Sequence, residues 1–386
     1  MINKKLLEVK RMEHKWSIRP YKNGDEIGIY KLEKKIDSLY PDRNYNFDEW
    51  KKWWEWKYKK NPSNKEKPKI WVSEYKGQIV GSDSFITTKM KIKNDIFTIT
   101  QNVDLMVHPD FRRQGMFLTI AKAAFSSLKK SDLYVTYGFP NRKAYGGHMQ
   151  YGWFDVSLLK NGIKPLKIDR FIDKKLSDNK KTNPIKKIYL SIVKTTLKAI
   201  FKEKKIKKSN EITLTEIKSF NDDINEFWDK ISDNYNIIVV RNKDYLNWRY
   251  VNIPNSKFMI YLAKEKNEIC GYIIFRIEKQ ASRKTYGSIY DIVALDNRSD
   301  IVYSLLDKTI EYFKKEDMDF IHCSMLANEK FIKFFKNKGF IFSQIFLRQD
   351  KDDRKFIAYS DHPNIDKKFL KNGKNWFIQY GDSDEA

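Results

Sequence analysis

The sequence predicts an α/β (α+β) protein: two tandem units, each a twisted mixed sheet flanked by helices, joined by a basic helical linker. Three observations carry that expectation. The chain has 386 residues, room for two domains that each bury a core. A series of local patterns occurs twice, in the same order, at an offset that stays between 187 and 192 positions. A lysine-rich stretch separates the two series. The expected divisions are 1–160 for the first unit, 161–210 for the linker and 211–386 for the second.

Each series begins with an aromatic-basic helix that stops at a proline. In the first it is Trp56-Lys57-Tyr58 before Pro62, and in the second Trp248-Arg249-Tyr250 before Pro254. Two alternating apolar runs follow, joined by Lys76-Gly77 or Lys266-Asn267 and closed by Gly81 or Gly271, the pattern of a hairpin. A further strand carries an aspartate, Asp104 or Asp291. Each series closes on a strand, an asparagine, a short helix and a Gly-aromatic pair: Asn141 with Gly152-Trp153, then Asn328 with Gly339-Phe340.

Between the series, from Lys160 to Asn210, stand 17 Lys/Arg against 4 Asp/Glu, a net of +13 within a total of +25. The excess is therefore concentrated in a linker, and nucleic acid is not the expected partner. Ile185, Ile188, Ile192, Val193, Leu197, Ile200 and Phe201 recur there at helical spacing. Such a stripe packs on a domain, with a peripheral membrane contact through 185–208 as the alternative. No apolar run reaches the roughly 18 residues of a membrane span. Met1-Ile2-Asn3-Lys4-Lys5 lacks the apolar core of a signal peptide. Cys270 and Cys323 show neither a disulfide framework nor metal spacing, so no metal is expected and the expected setting is cytoplasmic. The oligomeric state is not legible.

The segment with chemistry in it runs Val103-Asp104-Leu105-Met106-Val107-His108-Pro109-Asp110-Phe111-Arg112-Arg113-Gln114-Gly115-Met116-Phe117. A strand stops at a proline, a polar turn follows, and a helix begins. The first N–H groups of that helix and its dipole favour an anion. Gly115 lets backbone approach a phosphate closely, and Arg112 and Arg113 add charge-assisted hydrogen bonds.

This run resembles the acetyl-CoA signature of the GNAT superfamily, a strand ending in Val-x-Pro and then Arg/Gln-x-x-Gly-x-Gly/Ala. Arg112 and Gly115 match its first two fixed positions; Phe117 departs from the small residue usual at the last. The resemblance implies that Met106, Val107, Arg112, Arg113, Gln114, Gly115, Met116, Phe117 and Asn141 bind acetyl-CoA. Asn141, Ala144 and Gly152-Trp153 are similar to the family's Asn-x-x-Ala…Gly-Phe motif. A tyrosine seven residues after the asparagine often protonates the departing thiolate in that family. Here the position holds His148, whose imidazole can do the same work, with Tyr145 and Tyr151 as alternatives. Asp104, on an apolar strand and on one face with Met106 and His108, is the candidate base.

The second series has no glycine at the position of Gly115, no paired arginines, and Phe335 in place of His148. One competent site is expected, in the first unit. Asp291 persists there, which points to a structural need for an aspartate at this position. The C-terminal run Asn375-Trp376-Phe377-Ile378-Gln379-Tyr380-Gly381-Asp382-Ser383-Asp384 is similar to the ending of tandem GNAT proteins of bacterial polysaccharide assembly. It offers Asp382 and Asp384 to an acceptor, or forms a frayed acidic end.

The function implied is transfer of an acetyl group from acetyl-CoA to a small-molecule primary amine, an amino sugar or nucleotide-linked amino sugar, with a backbone N–H near Val107 stabilising the oxyanion. The alternatives are a Fem-type aminoacyl-tRNA-dependent transferase and a non-catalytic basic tandem binding module.

Overall fold

A computed structural model describes residues 16–37, 45–64, 67–168, 195–196, 201–204, 211–279, 285–342 and 355–384. The basic stripe of 185–208 lies outside them apart from 195–196 and 201–204. The chain forms two compact units. One is Met1–Met90, Ile96–Ser157 and Arg354–Asn372; the other is Lys91–Asp95, Leu158–Asp353 and Gly373–Ala386. The contiguous divisions at 160 and 210 therefore do not describe the units. Local patterning reports which element forms, whereas the partner a strand takes is set by long-range edge pairing.

In the first unit the order is β1 (Ser17–Pro20), α1 (Asp25–Asp37), α2 (Phe47–Tyr58), β2 (Lys69–Tyr75), β3 (Gln78–Ile92), β4 (Asp95–Val107), α3 (Met116–Lys130), β5 (Val135–Gly138), α4 (Arg142–Tyr151) and β6 (Phe154–Leu158). Helix α2 starts at a capping box, in which the Asn46 side chain accepts from the Glu49 N–H and Glu49 reaches back to the Asn46 N–H. Its apolar side is tryptophan-rich, with Trp50, Trp54 and Trp56 buried. The β2–β3 turn has both central residues at positive φ, Lys76 at 48° and Gly77 at 74°, which matches the strand twist. Strands β1 to β5 are neighbours in order. Helix α3 buries Ile120, Ala121, Ala124, Phe125 and Leu128 at i, i+3/i+4 spacing against Trp71 and Phe85 of the sheet.

Strands β4 and β5 run parallel through Thr100↔Thr136, Gln101↔Tyr137 and Asn102↔Gly138, and the pairing ends there. Strand β4 continues to Val107. Among the described residues no strand pairs with it on that side beyond Asn102.

The second unit contains β7 (Lys160–Pro165), β8 (Ile212–Ile217), α5 (Asp223–Ser232), β9 (Ile237–Val239), β10 (Met259–Glu265), β11 (Glu268–Lys279), β12 (Thr285–Ala294), α6 (Ser299–Lys315), β13 (Phe320–Leu326), α7 (Glu329–Asn337) and β14 (Ile341–Phe342). Strand β15 (Lys355–Ser360) belongs to the first unit, where it pairs antiparallel with β5 from Ile357↔Gly138 to Ser360↔Val135. Strand β16 (Trp376–Gln379) closes the second unit.

The element series recurs: hairpin, aspartate strand, helix, strand, Asn-capped helix. In the second unit β12 and β13 run parallel from Gly287↔Ile321 to Ile289↔Cys323, then part. Here the gap is filled. Strand β16 pairs with β13 through Met325↔Gln379 and Leu326↔Ile378. The Gln379 side chain accepts from the Ile292 N–H at 3.1 Å and donates to the Ile292 carbonyl at 2.9 Å. Among the described residues no helix is long and apolar enough to cross a membrane.

Candidate active site

The site begins where β4 gives way to α3. Pro109–Phe111 form one 3-10 turn, with the His108 Nδ1 accepting from the Asp110 N–H at 3.3 Å. Arg113 (φ 60°) and Gly115 (φ 86°) then take left-handed conformations that swing the chain into the helix. Gly115 is the N-cap residue and provides no side-chain cap, so the first-turn N–H groups need an outside acceptor. A Cβ at Gly115 would meet nothing within 4 Å; glycine is required here by φ, and the space in front of the turn is open.

Arg112, Arg113 and Gln114 are exposed around this turn. Arg112 spends its Nε on the Val107 carbonyl at 3.1 Å, and Gln114 donates to the Asp110 carbonyl at 2.7 Å, so both also hold the turn itself. Met116 is buried with Trp16 and Val80, and Val107 packs on that cluster, so Met116 offers a ligand its backbone N–H and not its side chain. Phe117 departs from the small residue of the signature without a clash because α4 has glycine opposite it. A Cβ on Gly147 would lie 2.7 Å from the Phe117 ring.

His148 stands where β4 and β5 part. Its Nδ1 is 2.9 Å from the Ala144 carbonyl and its Nε2 is 2.9 Å from the Asn102 Oδ1. Phe117 and Trp153 meet its ring edge-on at 5.2 and 4.8 Å. Burial holds the imidazole below its usual pKa, against the opposing pull of the Ala144 carbonyl. Asn102 in turn donates from Nδ2 to the Asp83 Oδ1 at 2.7 Å. Asp83 is fully buried on β3, and burial pushes its carboxyl up to about 7 despite the hydrogen bonds from Asn102 and the Ser84 backbone.

Sequence reasoning missed Asp83 and Asn102. The available signal was a difference between the two series: at the corresponding offsets the second carries Ile273 and Ile289. The pH consequence has a definite sign. Asp83 has a folded pKa above its unfolded value, so its contribution to stability is full below about pH 4 and is lost as pH rises through about 7. His148 has the opposite sign, losing stability as pH falls below about 6.5. Denaturant titrations of wild type between pH 4 and pH 8 are expected to show an Asp83-dependent loss of up to roughly 4 kcal/mol, flattened in Asp83→Asn.

Asp104 differs from its expected setting. Its φ of 47° breaks the strand alternation that would have put it on one face with Met106 and His108. Its Oδ2 accepts from Lys57 Nζ at 2.8 Å and from the Tyr58 hydroxyl at 2.5 Å. The carboxylate thus faces a buried lysine, itself 4.4 Å over the Trp53 ring, and not an apolar surface. The counterpart repeats the tyrosine contact: Tyr250 donates to Asp291 at 3.4 Å, with Arg241 Nε at 3.0 Å. Asp104→Ala removes the carboxylate that faces the buried Lys57, and a loss of about 3–5 kcal/mol is expected in equilibrium unfolding. A loss under about 1 kcal/mol would show that the pair is not structural.

The remaining candidates are engaged elsewhere. Tyr145 donates to Asp155 Oδ2 at 2.7 Å. Tyr151 stacks on Phe125 at 4.9 Å within the core, and burial pushes its hydroxyl up to about 12. Asn141 caps α4, its oxygen accepting from the Lys143 and Ala144 N–H groups at 3.0 Å, which leaves its NH2 for a ligand. Asp382 is buried and held by Arg241 Nη2 at 2.8 Å, so the tail is neither frayed nor offering this carboxylate to an acceptor. Asp384 is half-buried at the end of the same segment. In the second unit the turn after β12 is tied down, with Arg298 paired to Glu265 and Asp300 at 2.8 and 2.9 Å. Among the described residues no His, Cys, Asp and Glu side chains cluster as a metal site.

An open strand edge, an uncapped helix N-terminus beyond it and an imidazole at the point of divergence lie together in the first unit. Residues 18–154 match the family described as acetyltransferase (GNAT) domain. No curated protein matches the sequence. Among solved structures, the chain resembles Saccharomyces cerevisiae N-myristoyltransferase with bound myristoyl-CoA and inhibitors. The TM-score is 0.54 at 12% identity, over 90% of this chain and 80% of that one. It also resembles a probable N-acyltransferase from Enterococcus faecalis V583, with TM-score 0.58 and 11% identity over 89% and 72%. A GCN5-related N-acetyltransferase from Anabaena variabilis gives 0.55 and 10% over 89% and 72%. These likenesses are of fold: a mixed sheet flanked by helices.

Proposed function

We propose that the protein transfers an acetyl group from acetyl-CoA to a small-molecule primary amine, an amino sugar or nucleotide-linked amino sugar being the candidate acceptor. The observation that carries the reading is the alignment of three features along β4: the Gly115 turn, the unpaired edge beyond Asn102, and His148 where the strands part. The turn supplies N–H donors and the exposed guanidinium groups for a pyrophosphate. The free edge supplies backbone groups for an amide-containing arm and for the thioester oxygen.

Attack by the neutral amine forms the C–N bond, and collapse of the tetrahedral intermediate breaks C–S. His148 gives its proton to the departing thiolate. The Lys57–Asp104 pair is a fixed charge pair beside the strand. Asp104 serves as base only if that pair opens. The acceptor class rests on the resemblance of the C-terminal run.

The test is CoA release with acetyl-, octanoyl- and myristoyl-CoA against a panel of amino sugars, polyamines and peptides. Release with acetyl-CoA and an amino sugar supports the reading. A preference for a long acyl chain or a peptide amine replaces its substrate, and no release with any pair overturns it.

A further inference from the structure

We propose that Asp83, Asn102 and His148 form one proton-sharing unit, in which Asp83 and Asn102 are positioning residues that set the protonation state of His148. The inference rests on the acyltransferase reading for its purpose but not for its chemistry.

The hydrogen-bonding inventory forces the coupling. The Ala144 carbonyl can only accept, so His148 Nδ1 carries a proton. Nε2 then has two options. In a neutral imidazole it is a bare acceptor, and Asn102 must turn its NH2 towards it. The Asn102 oxygen then faces Asp83 and needs a proton there. In an imidazolium Nε2 donates to the Asn102 oxygen, and the Asn102 NH2 faces Asp83 as a carboxylate. Both arrangements satisfy contacts of 2.9 and 2.7 Å and hold the same number of protons; the second also lets the Asn102 NH2 donate to the Ser84 carbonyl at 3.4 Å. They differ in the orientation of one amide, that of Asn102. They interconvert by inversion of that amide and exchange of the proton with solvent. Burial of Asp83 favours the first arrangement at rest; an anionic thiolate at the mouth of the strands would favour the second. Delivery first breaks the Nε2–H hydrogen bond to the Asn102 oxygen; transfer then breaks Nε2–H, forms S–H, and leaves a neutral imidazole and the Asp83 carboxylate, which regains its proton from solvent.

The second unit is the control. Asn102↔Gly138 is the last pair of the β4–β5 ladder, as Ile289↔Cys323 is of β12–β13. Asp83 pairs with Trp71 as Ile273 pairs with Tyr261. The His148 ring meets Trp153 edge-on at 88°, and the Phe335 ring meets Phe340 at 78° over 5.2 Å. Thus three polar residues in contact correspond to Ile273, Ile289 and Phe335, all buried. In the second unit all three positions are apolar, which leaves no member of the set unpaired there.

The other groups around the unit are accounted for. Phe117 from α3 and Trp153 after α4 are apolar. Ser82 and Ser84 flank Asp83 on β3. Tyr151 feels the charge of Asp83, and Asp361 acts on that same hydroxyl. Tyr359 is tied to Asp361.

The test is 15N NMR of the histidine side chains in the full-length protein between pH 5 and pH 9, with His148 assigned through His148→Phe. In wild type the Nε2 resonance should show an inflection near neutrality that follows Asp83, and this inflection should be lost in Asp83→Asn. Asn102→Ile should abolish it as well and serves if Asp83→Asn does not fold. An unchanged His148 titration in either variant overturns the proposal. The measurement needs no acyl donor, so it stands even if CoA release fails. Where transfer is observed, Asp83→Asn should lower kcat about 100-fold with KM for the acyl donor unmoved.

Discussion

Gly115→Val is expected to weaken acetyl-CoA binding sharply while leaving the protein folded. The residue sits at φ 86°, where a β-branched side chain is strained by on the order of 1–3 kcal/mol. The relaxed turn would rotate the first N–H groups of α3 away from a common focus. The new side chain would also stand in the open space before the turn, where a Cβ meets nothing within 4 Å. Together these should weaken acetyl-CoA by about 100-fold, or roughly 3 kcal/mol, and reduce the melting shift expected of the wild type with acetyl-CoA. Gly146→Ala is the control. It lies on exposed helix with open space around it and ordinary φ, so the substitution should keep the shift and add a few tenths of a kcal/mol at most about 1. Equal melting shifts in wild type and Gly115→Val would remove the turn from the cofactor site.

The second large effect separates chemistry from folding. The triple variant Asp83→Ile, Asn102→Ile, His148→Phe gives the first unit the residues of the second. Exchanging a buried, hydrogen-bonded polar set for apolar residues is commonly neutral or stabilising by about 1–4 kcal/mol where volumes match; the larger Ile and Phe side chains offset this by about 1–3 kcal/mol of overpacking. The variant should therefore stay folded with near wild-type stability and lose the Asp83-dependent part of the pH slope. Acyl transfer should fall by about 10²–10⁴. Retention of transfer would exclude His148 as the acid. Loss of the fold would show that the polar set is a packing requirement of this unit.

How much of this was legible in the chain follows from how local each feature is. The Gly115 turn was readable because strand stop, turn and helix start occupy fifteen consecutive residues from Val103 to Phe117. The hairpins and the Asn-capped helices were readable for the same reason. Asp104 was misread because period-two alternation assumes an unbroken strand, and one left-handed residue re-aims its side chain towards Lys57 and Tyr58. Asp83 was overlooked because its meaning lies in a contact with a residue on the next strand and, through it, a helix 65 positions away. The tail was misjudged because acidic residues near a terminus usually fray, whereas Arg241 and Arg249 clamp Asp382 and the Gly381 carbonyl.

The late return of β15 to the first unit matters during synthesis. Sheet order β5–β15–β6 places a strand made after residue 354 between two made before residue 159. Until it arrives, β5 presents an unpaired edge on its far side, the condition in which strands mispair or recruit chaperones. At about 5–20 residues per second the ribosome needs roughly 10–40 s to supply it. The nascent first unit therefore waits for nearly the whole chain, and a stop codon anywhere before Ser360 should yield an aggregating product and not a half-sized enzyme. The amino-terminal half carries the catalytic candidates, but the carboxy-terminal half decides when they become a site.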